Sequence, residues 1–165
     1  MLWAFSVLHA EGLPVRLTIC GATMDKQESY WEALRSEYTR SIGTAITFYD
    51  FIPRSEVVEQ LAAADMFCSC TLGEGCSHSR TTALCAGLPV VTTACGEMPE
   101  LLGSASHIRL AAPGDPEGYL STLRTACIDF LENRLRPDEE SVKRWREHFT
   151  MERELSQWES LIASL

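Results

Sequence analysis

"TLGEGCSHSRTTALCAGLPVVTTACGEMPELL", residues 71–102, decides how this chain is read. It contains a Glu-Gly turn at Glu74-Gly75, a polar stretch at Ser77-His78-Ser79 and a Gly-Leu-Pro break at 87–89. A Val-rich run follows, and then a second carboxylate-bearing turn at Gly96-Glu97. Ser77 is a helix N-cap for "HSRTTALCA", and Gly87 stops that helix. The apolar run "LPVVTT" (88–93), bounded by breakers, reads as a short buried strand.

Working outward, the same alternation continues. Towards the N-terminus lie a strand "DMFCSC" (65–70), a helix "SEVVEQLAAA" that Ser55 would cap, and a strand "AITFY" closed by the turn "DFIPR". Before these, "QESYWEALRSEY" places Tyr30, Trp31, Leu34 and Tyr38 at helical spacing, and "VRLTIC" (15–20) reads as a strand. The opening "MLWAFSVLHAEGLP" reads as a helix ended by Gly12 and Pro14; it lacks the basic leader of a signal peptide. Towards the C-terminus come a short strand "HIRLA" and a helix opened by Asp115-Pro116. Two further helices are expected, around 142–149 and 151–165, with Trp145, Phe149, Leu155, Trp158, Leu161 and Ile162 at helical spacing. The segment "RPDEESVKRWREHF" is a solvated amphipathic helix on this reading.

Strands that are nearly continuous apolar runs, alternating with helices, imply an α/β, Rossmann-like parallel sheet covered by helices on both faces. Ligands of such sheets bind at the carboxyl ends of the strands. "TLGEGCS" follows one strand and "ACGEMPE" follows the next, so both Glu-bearing turns should meet on one rim.

A length of 165 residues suits one domain, spanning 1–165. Fourteen basic against 23 acidic residues, a net charge of -9, argues against a protein that neutralises nucleic-acid backbones. No apolar run approaches the roughly 20 residues that cross a bilayer. Seven cysteines, an odd number with several inside apolar runs, point to buried, reduced thiols and a cytoplasmic protein.

The rim has chemistry to offer. Gly73 and Gly75 let the backbone turn tightly and approach a ligand. The free amides and positive dipole end of the helix opened by Cys76, Ser77 and His78 suit a phosphate. Glu74, just ahead of them, can accept hydrogen bonds from hydroxyl groups. Together these suit a sugar phosphate; an ordinary surface turn is the alternative.

The run "AADMFCSCTLGEGCSHSRTTALCAGLPVVTTACGEMPELL" resembles the nucleotide-sugar-binding half of GT-B glycosyltransferases of the retaining family 4. The features that match are Ala64-Asp65, Glu74-Gly75, Ala86-Gly87-Leu88-Pro89-Val90-Val91 and the turn Gly96-Glu97-Met98-Pro99-Glu100. "ITFYDFIPRSEV" and "LAAPGDPEGY" resemble the flanking segments. The resemblance implies that Glu74 contacts the donor sugar and that amides near Gly75 to Ser77 hold a phosphate. It also implies that backbone groups of Asp50, Phe51 and Ile52 face the nucleotide base. His78 is a candidate donor contact. The family's second donor glutamate is replaced by Thr82, which would weaken or alter ribose binding, and Glu97 stands where the family often has glycine. Glu100 matches the turn glutamate, as a helix cap or a contact.

Against the family's pattern the chain lacks a first strand, central between "VRLTIC" and "DMFCSC", and the basic turn after it. The acceptor half, with its usual catalytic histidine, is also missing. The resemblance therefore implies a donor-binding portion with no catalytic residue of its own, no cofactor and no metal. Its partner would be an acceptor domain, another chain, or a second copy joined through the incomplete sheet. The competing reading is a non-catalytic, glycosyltransferase-like interaction module.

Three further features bear on the site. Arg80 either faces the donor phosphates or, as the preferred reading, is an exposed helix residue. Cys68, Cys70, Cys76 and His78 lack the tight pairing of a zinc site, and buried cysteines beside an exposed histidine account for them better. His9, His107 and His148 have surface or packing roles by default.

Overall fold

The computed structural model describes residues 1–21, 27–96 and 105–164. The elements are α1 (Leu2–Ala10), β1 (Leu17–Cys20), α2 (Glu28–Ile42), β2 (Ile46–Tyr49), α3 (Arg54–Ala62), β3 (Phe67–Cys68), α4 (His78–Ala86), β4 (Val90–Thr93) and β5 (Ile108–Ala111). They are followed by α5 (Pro116–Leu131), α6 (Glu139–His148) and α7 (Met151–Ala163). The alternation is the one the sequence implies, and the fold is α/β with parallel sheets flanked by helices.

All pairing is parallel. Among the described residues it falls into two pieces: β1 with β2, in register Leu17 to Ile46, and the order β3-β4-β5, with Val90 between Phe67 and Ile108. Among the described residues no pairing joins β1 to β3, the place where the family resemblance leaves a strand out. Helix α1 spans the division. Its Ala4 and Leu8 pack into a core with Val91, Ala111, Tyr119 and Leu123, while its Phe5 packs with Ile42 and Ile46 against Leu17 and Ile19. One helix thus ties both sheet pieces together.

Burial follows the layers. All four residues of β4 are buried, as expected for a strand with helices on both sides. In the smaller piece α1 and α2 cover the Leu17, Ile19, Ile46 and Phe48 row, whereas Thr18, Cys20, Thr47 and Tyr49 face solvent.

The local signals act as expected at two helices. Asp115 caps α5 by accepting from the Gly118 amide at 2.8 Å, with Pro116 at the first helical position. Gly87 ends α4 in the left-handed conformation, φ 80°, and leaves room for Val142 of α6 to pack against it.

Two expectations need correction, and one helix adds a feature that spacing alone did not specify. α3 starts at Arg54 directly after Pro53, whose extended backbone feeds the helix, so Ser55 lies inside the first turn and caps nothing. Cys20, Cys70 and Cys76 are exposed rather than buried, because they sit on the open row of β1 and in the loops beyond β3. In α7 the apolar residues Met151, Leu155, Trp158, Leu161 and Ile162 all face outward, because that helix lies apart from the core.

Candidate functional site at the carboxyl ends of β3 and β4

The loop after β3 and the loop after β4 meet. Gly96, at φ 63°, packs so closely on the Glu74–Gly75 backbone that a Cβ there would lie 2.7 Å from the Gly75 carbonyl oxygen. Gly96, which opens the second Glu-bearing turn, therefore lies on the same rim as the Glu74 turn, as the strand-end rule required; Glu97 and Glu100 fall outside the described residues. Gly73 and Gly75 have negative or extended φ and open space around them, so the demand for glycine falls on Gly96.

Beneath the rim is a hydrogen-bonded set of side chains. Thr93 donates to the Thr71 carbonyl at 2.6 Å, Ser69 and Thr92 share a hydrogen bond of 2.8 Å, and Thr71 and Cys95 share one of 3.2 Å. The Cys95 thiol is held below its usual pKa, first by the Thr71 hydroxyl beside it, then by Thr93 and the charge of Arg80. These contacts fix the two strand ends to each other.

Glu74 is half-buried, Gly75, Cys76 and His78 are exposed, and Ser77 is buried. Ser77 occupies the N-cap of α4, but its Oγ pairs with the Ser79 hydroxyl at 3.2 Å and makes no bond to a backbone amide. The first-turn amides thus keep their capacity for an outside acceptor. The Thr82 hydroxyl is spent within the helix, donating to the His78 carbonyl at 2.7 Å. Cys76 Sγ lies 3.8 Å from the Thr81 hydroxyl.

Asp50, Phe51 and Ile52 lie at the carboxyl end of β2, on the other sheet piece. Asp50 pairs with Arg35 at 3.1 Å, and Arg35 also lies over the Phe48 ring. Phe51 is 80% exposed, a large aromatic surface at a strand end. No hydrogen bond or ion pair among the described residues connects this group to the Glu74 turn.

Arg80 overturns the expectation of an exposed helix residue. It is 0% exposed, and its Nη1 donates to Thr92 Oγ1 at 3.1 Å. The helix geometry explains this, because Arg80 shares a face with Ala83 and Leu84, three and four residues on, which are also fully buried. That spacing was the available signal. The Thr92-Thr93 pair, polar residues ending a buried strand, was the signal for the rest of the network. His107 also proves fully buried, a packing role, at the amino end of β5 and away from the rim. A surface hollow lined by Ser106, Asp138, Ser141 and Arg144 lies at that same far end.

The model of the family described as glycosyl transferases group 1 matches residues 1–129. Among solved structures, the Anabaena HepE structure in complex with UDP and glucose is similar at 19% identity and TM-score 0.80. It covers 99% of this chain and 44% of that one. Sucrose-phosphate synthase from Thermosynechococcus elongatus gives 19% identity and TM-score 0.74, with 99% and 43% covered. WaaG, a glycosyltransferase involved in lipopolysaccharide biosynthesis, gives 23% identity and TM-score 0.66, with 89% and 37% covered. The chain therefore spans less than half the length of these structures. No curated protein matches.

Proposed function

The chain belongs to the glycosyl transferases group 1, and on that premise we propose that it is the donor-binding portion of a retaining enzyme. That enzyme would move a sugar from a nucleotide diphosphate sugar to an acceptor. The observation that carries this reading is the seating of Gly96 on the Glu74–Gly75 backbone, which fixes the Glu74 turn just ahead of the uncapped first turn of α4. Amides and helix dipole suit phosphate; the carboxylate suits sugar hydroxyls. Exposed Phe51, beside Asp50 and Ile52, offers a face on which a base can stack.

In this reading Glu74 accepts from the donor sugar, and Gly75, Cys76, Ser77 and His78 surround the phosphates. Thr82 contributes little, since its proton is committed to His78. The share of catalysis assigned here is stabilisation of the departing diphosphate by fixed dipoles. The acceptor site belongs to the partner half, and the location is cytoplasmic.

Calorimetric titration with UDP, GDP and ADP tests the proposal. Saturable binding of at least one supports it. The isolated chain is expected to show no sugar transfer from the corresponding sugar nucleotides. A silent titration with folded protein would favour the interaction module instead, for which the committed Thr82 hydroxyl is the supporting observation.

A further inference from the structure

We propose that Arg80 is the resident cation of this site, a positioning residue whose buried charge, without an ion pair among the described residues, is completed when the phosphates of a nucleoside diphosphate settle at the first turn of α4. The inference rests on the donor-site reading above and adds the residue that sets its preference for a multiply charged ligand.

A guanidinium presents five N–H donors. Arg80 is fully buried, yet one of its groups, Nη1, reaches Thr92, while Nε and Nη2 have no hydrogen-bond partner among the described residues. Among the described residues no carboxylate forms an ion pair with it. A charge buried without a partner is among the costliest arrangements in a protein interior. The neighbours on its helix face, Ala83 and Leu84, would accept an apolar side chain at no such cost. The arrangement makes physical sense when an anion comes near.

The place where an anion would come is indicated independently. Arg80 is the third residue of α4, a nine-residue helix whose N-cap serine makes no side-chain bond to the first-turn amides. Helix dipole and guanidinium therefore add in one region. The guanidinium is also tied to the rim: Thr92, which it bonds, is shared with Ser69, and Thr93 next to it holds Thr71 and Cys95. Arg80 also acts on Cys95, the residue before Gly96, where its charge and a side-chain hydrogen bond supplement the Thr71 hydroxyl in lowering the thiol pKa. Inside protein the field of such a charge is weakly screened and acts over several ångströms without direct contact.

The experiment compares the 165-residue chain with Arg80→Met and Arg80→Gln. Affinities for UDP, uridine and inorganic diphosphate are measured by calorimetry, and the ligand-free proteins are unfolded in urea. GDP and guanosine, or ADP and adenosine, replace the uridine pair if they bind better. Arg80→Met is expected to weaken the nucleoside diphosphate and inorganic diphosphate by about tenfold, leaving the neutral nucleoside unchanged. Its urea midpoint should equal or exceed that of the wild type, since a buried charge has been removed. Arg80→Gln, which keeps a donor for Thr92 but no charge, should lose affinity in the same way. Unchanged diphosphate affinity overturns the inference. So does equal loss of nucleoside and diphosphate, or an Arg80→Met protein that fails to fold, each marking a merely structural role. Wild-type protein that binds none of the three diphosphates refutes the donor-site reading itself; binding that is indifferent to Arg80 refutes only the role of Arg80.

Discussion

Gly96 and Glu74 are locked together through the backbone: with φ at 63°, Gly96 presents its Cα to the Glu74 carbonyl so closely that no side chain fits between them. Two loops from adjacent parallel strands are thereby held at one separation. The obstacle to a Cβ is main chain, which cannot swing aside as a side-chain tip would. Gly96→Ala is therefore expected to destabilise the protein by about 1–3 kcal/mol and to weaken nucleoside diphosphate binding. Gly73→Ala, with open space around it, is the control and should be close to neutral. Urea denaturation of both variants checks the pair.

If Glu74 accepts from sugar hydroxyls, its removal should discriminate between ligands. Glu74→Ala is expected to weaken a sugar nucleotide by about 1–3 kcal/mol, the worth of hydrogen bonds to a charged group. Binding of the matching nucleoside diphosphate should hold or improve slightly, because a negative charge beside the phosphates is gone. Loss of both ligands in equal measure would place Glu74 in the scaffold instead of the sugar site.

The two helix starts at Ser77 and Asp115 should respond differently to alanine. Asp115 accepts from the Gly118 amide, so Asp115→Ala should cost about 1 kcal/mol. Ser77 gives its hydroxyl to Ser79, so Ser77→Ala should cost only a few tenths. Denaturation midpoints of the two variants, measured side by side, decide this.

Stability should fall on mild acidification, and His107 is the reason. Burial holds its imidazole below the usual value of 6.5, with Arg144 and Arg109 adding to the effect and Asp138 opposing it. Below that value the unfolded chain takes up a proton that the native state resists, so stability is lost as pH falls from 6.5 towards the native pKa. His107→Leu should flatten this slope in urea titrations at pH 7.5 and 5.5. A second loss belongs to lower pH. Asp129, paired with Arg134 and Arg109, and Asp138, bonded to Ser141, have depressed carboxyl values. Their contribution is complete above the unfolded value of 3.8 and is lost below it.

Much of the fold was legible because its signals are local. Ser77 and Gly87 bracket α4, Asp115-Pro116 opens α5, and short apolar runs mark the strands. Each depends on φ preferences or on a cap reaching three residues along the chain. The rim was legible too, since parallel strands place successive loops at the same edge. Arg80 was misjudged because charge pointed to solvent, whereas its spacing from Ala83 and Leu84 pointed inward. In this case the helix face prevailed over residue type.

By itself the sequence determined the order of elements, the edge where the candidate site lies and the family to which the chain belongs. The tertiary structure alone decided that Gly96 abuts Glu74, that Arg80 is enclosed without a counter-ion among the described residues, and that the apolar row of α7 is exposed. The physical reason is range. Caps and periodicities act over a few residues, whereas these three outcomes depend on how separately formed elements are set against one another in space.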